Sequence, residues 1–336
     1  MKSYHLTAGG GIEGLQVRNH PDPTPGPGQV LVSIRANGLS LRELKVLDGQ
    51  YPLPITDGVV AGCEGVGEVV AVGTGVRRTK VGDRVAATVF PHWLDGPFTL
   101  LYADQLGSSL DGMFTELAVL DELAVVAIPE HLSYDEAAAL PLIALTAWNA
   151  LTGGRGLQAG ESVLTLGTGA VSLAAVQLAK LAGAEVIATS SSPAKADRLK
   201  ALGADAVIDY SQNPSWSDEV RAVTKGRGVD HVIDPVGIID QSVRSAAIGG
   251  EVTLIGASQG QQAKAEPLAA ATIFQTGAAV RTIAVGNRAQ FLEMNRAIAV
   301  GNLHPVIDRT FNFSELPEAL TYYRQGKFFG RVIVSH

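Results

Sequence analysis

The stretch LTLGTGAVSLAAVQLAKLAGAEVIATSSSPAK, Leu164–Lys195, decides how this chain is built. An apolar run closes on Gly167-Thr168-Gly169, an amphipathic segment follows from Ala170, and a second β-branched run from Glu185 ends in a serine cluster. Strand, tight turn, helix and strand in that order predict one βαβ unit. In this context Gly167 makes the turn and Gly169 lets backbone approach a ligand. That ligand is a pyrophosphate lying on the positive end of the following helix; Ala170 keeps the loop narrow, and Thr168, Ala170 and Val171 are expected cofactor contacts with the two glycines. Ser172 stands where such loops carry a third glycine, and a small serine suffices for helix–strand packing.

About 20 residues beyond the loop an acidic side chain would hold the adenosine ribose diol of NAD. The chain has none there: Thr189, Ser190, Ser191 and Ser192 are followed by Lys195 and Arg198. Hydroxyls and cations suit a 2′-phosphate, which an aspartate would repel, so NADPH is the expected cofactor. A serine loop that merely caps the helix beginning near Pro193 is the alternative.

Outward from this unit the alternation continues through AVIDY, SDEVRAVTK, VDHVIDPV, IIDQSVRSAAI and EVTLIG. Consecutive βαβ units predict a doubly wound parallel sheet of the Rossmann type. Beyond Thr272 one more strand, a helix at Arg288 to Val300 and a closing strand RVIVS are expected. The first third reads differently, with short strands at Gln29 to Asn37, Gly65 to Val72, Asp83 to Val89 and Phe114 to Val119, which suggests a small barrel-like domain. Between the two, Ser133 with Glu136 three residues on marks a helix start.

With 336 residues the chain suffices for two domains. Its net charge of −7 without a Lys/Arg cluster argues against nucleic acid or an anionic membrane as partner. The longest apolar stretch, Ala137 to Leu151, is too short to span a bilayer and contains Pro141, and MKSYHLTAGGG lacks a signal-peptide core, so a cytoplasmic location is expected. Cys63 is the single cysteine, which excludes an internal disulfide and a four-cysteine zinc site.

Several blocks together resemble the medium-chain dehydrogenase/reductase superfamily along nearly the whole chain: GVGEVVAVGTGVRRTKVGDRV, PEHLSYDEAAALPLIALTAWNAL, GTGAVSLAAVQLAK, ADAVIDY, GRGVDHVIDPVG, VGNR and GKFFGRVIV. The resemblance implies an α/β protein with a GroES-like β-barrel catalytic domain, residues 1–127 and 272–336, and an inserted Rossmann NADPH-binding domain, residues 128–271. The cofactor would occupy the cleft between them. It further implies that Thr146 contacts the nicotinamide region, Tyr210 the adenosine side, Val285 the nicotinamide amide and Arg288 the phosphates, with Gly256 also at the cofactor.

Zinc-dependent members carry cysteine and histidine ligands in two motifs that correspond here to ANGLSLREL and AGCEGVGE. In this chain Ser40 stands at the first cysteine and Cys63 at the histidine before Glu64. No metal is therefore expected, and the resemblance narrows to the zinc-free quinone oxidoreductase and enoyl reductase branch. Members of that branch usually have an asparagine and an aspartate, often with a tyrosine, where this chain has Ser40, Leu41 and Glu43. Ser40, Cys63 and His92 remain as catalytic candidates, with Arg42 a further polar neighbour. Ser40 could donate to a substrate oxygen or simply bond its own backbone. Cys63 reads more readily as a small packing residue than as a nucleophile, His92 with Trp93 sits in a loop that either lines the cleft or faces solvent, and Arg42 and Glu43 read as a pair or as surface charges.

Without a Lewis acid, conjugate reduction is the easier chemistry, because charge spreads onto an oxygen that one or two hydrogen bonds can hold. The expected activity is NADPH-dependent hydride transfer to an activated C=C bond or a quinone. A metal-free alcohol dehydrogenase using Ser40 and His92 as a proton relay, and an NADPH-binding sensor with little catalysis, are the alternatives. Apolar residues of the loop Pro91 to Gly112, among them Phe98, Leu100, Leu101 and Tyr102, suggest a small hydrophobic electrophile as substrate. The strand near Glu251 to Gly256 and the segment Thr282 to Val285 are expected to form a sheet edge through which a homodimer assembles.

Overall fold

The computed structural model describes residues 1–255 and 268–336, so the expectation for Gly256 lies outside the described residues. The chain divides into two compact units, Met1–Leu145 with Asn287–His336, and Thr146–Gly286.

In the first unit the strand Gln29–Gly38 is the hub. Its Val30, Val32 and Ile34 alternate into the core, as β-branched residues on one face of a strand should. It pairs antiparallel with Val66–Val72, Leu117–Asp121 and Arg331–Ser335. The full sheet runs Ile307–Asn312, Arg331–Ser335, Gln29–Gly38, Val66–Val72, Arg84–Ala87 and Val125–Ala127, with Leu117–Asp121 joined to the hub. The carboxyl-terminal strand Arg331–Ser335 thus joins the sheet of the amino-terminal unit.

Three local differences have clear causes. The strand expected from Phe114 begins at Leu117, because the backbone at Phe114 is already engaged: Tyr4 N donates to Phe114 O and Phe114 N to Ala61 O. The helix begun by Ser133, whose amide donates to Glu136 at 2.8 Å, stops at Ala137. After a single widened π turn, Leu140–Ala144, it resumes as Leu145–Thr152. Pro141 has no N–H to continue an α-helical ladder, and the widened turn leaves Leu142 N to donate to Glu64 Oε2 at 3.0 Å. Residues 128–145 also stay with the first unit, tied to it by Ile128 N on Arg84 O and Arg84 Nη2 on Leu132 O.

The second unit is a six-stranded, wholly parallel sheet in the order Ala206–Asp209, Glu185–Ser190, Ser162–Thr165, Val229–Asp234, Ala246–Leu254, Ala279–Thr282. Strand order reverses between Ser162–Thr165 and Val229–Asp234, the point at which doubly wound sheets bind ligands beyond their strand ends. Two sequence expectations are corrected. Residues 272–286 belong to this unit and not to the catalytic one, because Ala279–Thr282 adds a sixth strand to the sheet. Residues Glu251–Leu254 are not an edge, since they pair on both sides; among the described residues the edges are Ala206–Asp209 and Ala279–Thr282.

Candidate active site

In the second unit the glycine loop follows the strand Ser162–Thr165 and opens the helix Ala170–Leu181. Gly167 has φ +76°, a conformation L side chains rarely adopt. A Cβ added at Gly167 or Gly169 would meet nothing within 4 Å, so the loop borders open space. Gly169 is the N-cap and brings no side chain to the first-turn N–H groups. An uncapped helix start beside open space suits a pyrophosphate. Thr189 Oγ1 braces the loop by accepting from Gly167 N at 3.0 Å. Ser172 is fully buried and donates to Leu166 O at 2.7 Å, so the hydroxyl that replaces the third glycine pins helix to strand. Thr168, Ala170 and Val171 are half-buried around this turn.

The serine cluster divides in role. The Ser190 hydroxyl donates to Ser192 O and accepts from Ser192 N, both at 3.2 Å, and Ser192 Oγ caps the helix Pro193–Ala201 through Lys195 N. Ser191 is exposed and its Oγ accepts from the Tyr210 hydroxyl at 3.1 Å, which brings two of the expected cofactor contacts together. Thr146 is buried, and Val285 O accepts from Asn149 Nδ2 at 3.2 Å. Arg288 belongs to the first unit, where it heads the helix Arg288–Val300; burial and the nearby Arg78 lower its pKa from the usual value. The residues of this unit fit a dinucleotide: the loop would take the pyrophosphate, and Ser191, Tyr210 and Lys195 would lie on its adenosine side.

In the first unit, Ser40 and Cys63 meet at Glu43. Ser40 caps the helix Leu41–Leu47, its amide donating to Glu43 Oε2 at 2.8 Å and its hydroxyl donating to the same oxygen. Glu43 Oε1 accepts from the Cys63 thiol at 2.8 Å and from Cys63 N at 3.3 Å. All three side chains are buried. Burial and the facing Glu43 carboxylate push the Cys63 thiol well above its usual value, which favours the protonated thiol over the thiolate. Arg42 lies 3.7 Å from Glu43 Oε1 and directs Nε and Nη2 onto Gln105 Oε1 at 3.0 and 2.8 Å. The Tyr51 hydroxyl reaches the same oxygen at 3.1 Å. Behind this group Arg331, fully buried, pairs with Glu64 and donates to Leu39 O; burial lowers its pKa to about 10.

Expectation and structure part at two places. Arg42 and Glu43 do pair, at 3.7 Å, as one of the two expectations for them had it, but they are the buried centre of the cluster and not surface charges. His92 is exposed on its loop while the adjacent Trp93 is buried against Phe90 and Phe98, so the structure brings Ser40 and Cys63 together without His92. Leu100 and Leu101 on the same loop are 80 % and 89 % exposed. Sequence reasoning missed Glu43, Gln105, Tyr51 and Arg331. A signal for Glu43 was present, since Ser40-Leu41-Arg42-Glu43 is the same S-x-x-E capping pattern that was legible at Ser133.

The donor set around Cys63 does not fit zinc. Four donors are needed for a closed site, and among the described residues no three His, Cys, Asp or Glu side chains converge on one point. The nearby carboxylates are already committed, Glu43 to four N–H, O–H and S–H donors and Glu64 to Arg331 and Leu142 N.

Family comparison agrees with this two-unit architecture. Residues 26–130 match the alcohol dehydrogenase GroES-like domain and residues 170–299 the zinc-binding dehydrogenase family. A zinc-type alcohol dehydrogenase-like protein of Schizosaccharomyces pombe is 38 % identical over 92 % of this chain and 91 % of its own length. The chain belongs to the medium-chain dehydrogenase/reductase superfamily. A 2-methylene-furan-3-one reductase of Solanum lycopersicum is 31 % identical over 99 % of the chain and 79 % of that relative. A solved structure described as an NAD-dependent alcohol dehydrogenase superposes with a TM-score of 0.90 at 33 % identity, covering all of both chains. The chain also matches a polyketide synthase of Streptomyces halstedii and a mycoketide-CoA synthase of Mycobacterium tuberculosis, of which it spans only 5 % and 8 %. It is thus an oxidoreductase of this superfamily, with a nicotinamide-dinucleotide-binding fold and a GroES-like domain. Among the described residues no helix is long and apolar enough to cross a membrane.

Proposed function

We propose that this medium-chain dehydrogenase/reductase reduces an activated C=C bond, as in an enone or enoyl group, or a quinone, with NADPH as cofactor and without zinc. The observation that supports the reading is the Ser40–Glu43–Cys63 cluster: a hydroxyl, a carboxylate and a thiol bond one another where the family resemblance puts two zinc ligands, at positions 40 and 63, and a simple carbonyl would need such a Lewis acid. NADPH supplies a hydride, and the protein's task is to orient the substrate, exclude water and manage one proton. A conjugated acceptor makes the smallest demand on such a cluster, because its developing charge rests on an oxygen within reach of hydrogen bonds. The relative named for a 2-methylene-furan-3-one, itself a conjugated exocyclic enone, supports the substrate class.

NADPH over NADH is supported by the absence of a carboxylate at the end of the strand Glu185–Ser190 and by the Ser191–Tyr210 hydroxyl pair. The substrate would be a small hydrophobic electrophile. The proposed setting is the cytoplasm, where a lone reduced thiol persists. The proposed assembly is a homodimer through the edge strand Ala279–Thr282. Titration of intrinsic fluorescence with NADPH and NADH, followed by NADPH oxidation against enones, quinones and saturated aldehydes, tests the reading. Tighter NADPH binding with turnover of conjugated acceptors supports it, and turnover of saturated carbonyls alone overturns it.

Alcohol dehydrogenation without a metal is the second reading. It is favoured by one observation: the Ser40 hydroxyl donates to Glu43, which leaves its oxygen free to accept from an alcohol. Oxidation of primary alcohols by NADP⁺ at a rate exceeding enone reduction would establish it.

A further inference from the structure

We propose that Asn149 is a positioning residue for the nicotinamide end of the cofactor, its side-chain amide fixing the Val285 carbonyl on which that end is received. The inference rests on the NADPH reading above. Residues 283–286 follow the carboxyl end of the strand Ala279–Thr282 and form neither helix nor strand. Asn149, buried on the helix Leu145–Thr152, donates from Nδ2 to Val285 O at 3.2 Å and so ties that segment to the helix. Only the NH₂ end of an amide can face a carbonyl, which sets the orientation of the side chain. Thr146 lies three residues before Asn149, on the same side of the helix.

The helix is itself fastened to the strand that precedes the segment. Arg281 Nη2 donates to Asn149 O at 2.7 Å and to Ala150 O at 3.0 Å, two of the last four carbonyls of the helix. Arg281 Nε pairs with the buried Glu251 at 2.8 Å, and Glu251 Oε2 accepts from Arg155 N at 2.9 Å. A Cβ at Gly154 would collide with Glu251 and Arg281, and one at Gly153 with Asn149 Oδ1, so the exit of the helix is filled by this network. The place of the network in the sheet gives it a role, because doubly wound sheets bind ligands beyond the carboxyl ends of their strands. Ser191 and Tyr210, on the adenosine side, follow the strands Glu185–Ser190 and Ala206–Asp209, to one side of the glycine loop. The nicotinamide half of a dinucleotide centred on that loop therefore extends the other way, over Val229–Asp234 and Ala246–Leu254 toward residues 283–286. A carbonyl oxygen has two lone pairs, so Val285 O, held by Asn149 through one, keeps the other for the carboxamide N–H of the nicotinamide. Ile283, Ala284 and Val285 stay half-buried, so the segment is not sealed in the core. Holding the carbonyl in place beforehand lowers the ordering cost of binding.

The test titrates wild type, Asn149→Asp and Asn149→Ala calorimetrically with NADPH and with 2′-phospho-ADP-ribose, a fragment that lacks only the nicotinamide. Aspartate keeps the shape of asparagine and removes the donor, while alanine removes the side chain. Both variants should bind NADPH about tenfold more weakly, while their affinity for the fragment stays within about twofold of wild type. The ratio of the two affinities separates positioning from folding, because a loosened fold weakens both ligands together. An unchanged ratio overturns the proposal, whether both affinities hold or both fall. A wild type that binds neither ligand overturns the NADPH reading itself, and the positioning role with it.

Discussion

Glu64 and Arg331 show what a buried charge demands of its neighbours. Both are fully buried, and Glu64 answers Arg331 on one oxygen and Leu142 N on the other. Removing one partner strands the other in a low dielectric, so Arg331→Met should lower the unfolding free energy by about 3–5 kcal/mol. Glu64→Leu/Arg331→Met should cost less than the sum of the two single changes, which denaturant melts of the four proteins would show. In the second unit His231 is buried, with Nε2 at 3.1 Å from Arg155 Nη1 and 3.4 Å from Glu161. Burial and Arg155 lower its pKa, so as pH falls below about 6.5 the unfolded chain takes up a proton before the folded one does. Stability contributed by the neutral ring is therefore lost toward acid, and His231→Gln should flatten the decline in melting temperature between neutral pH and about pH 5.

At the scale of elements, the turn at Gly167 and the helix Ala170–Leu181 were legible because their chemistry is local. A positive φ calls for glycine, and an uncapped helix start calls for an anion. Ser172→Ala should cost about 1 kcal/mol in a denaturant melt by removing the bond to Leu166 O while leaving the loop able to bind. Gly167→Ala has room for its methyl group but not the backbone freedom, so it should weaken NADPH affinity more than it lowers stability. What the sequence left hidden depends on contacts between distant segments. The break at Pro141 was visible as a residue, but its use, freeing Leu142 N for Glu64, joins positions 78 apart. That Arg42 and Glu43 pair was one of two readings, but their burial was not legible, because nothing local shows that Gln105 and Cys63 fold over them. The strand Ile307–Asn312 and the helix Leu316–Arg324 were passed over, since their polar and charged residues mask the apolar face of Phe311, Leu316, Ala319 and Leu320.

For the whole molecule, the two units divide the labour: the second carries the open glycine loop at its strand-order reversal, and the first carries the buried Ser40–Glu43–Cys63 cluster. Among the described residues the strand Ala279–Thr282 has a strand on one side only, and it presents Val280, 38 % exposed. Assembly through that edge predicts a species of about twice the 35.0 kDa chain mass in light scattering. It also predicts that Val280→Asp shifts the population toward the monomer, and a wild type found only as monomer would exclude the dimer. The central claim is conjugate reduction by NADPH without a metal. Its most direct measurement is NADPH oxidation by metal-stripped enzyme in excess chelator, with an α,β-unsaturated ketone set against the saturated ketone of the same skeleton. The account predicts turnover of the unsaturated ketone unaffected by the chelator and little turnover of the saturated one. Activity that disappears with chelator and returns with zinc, or that favours the saturated ketone, would contradict it.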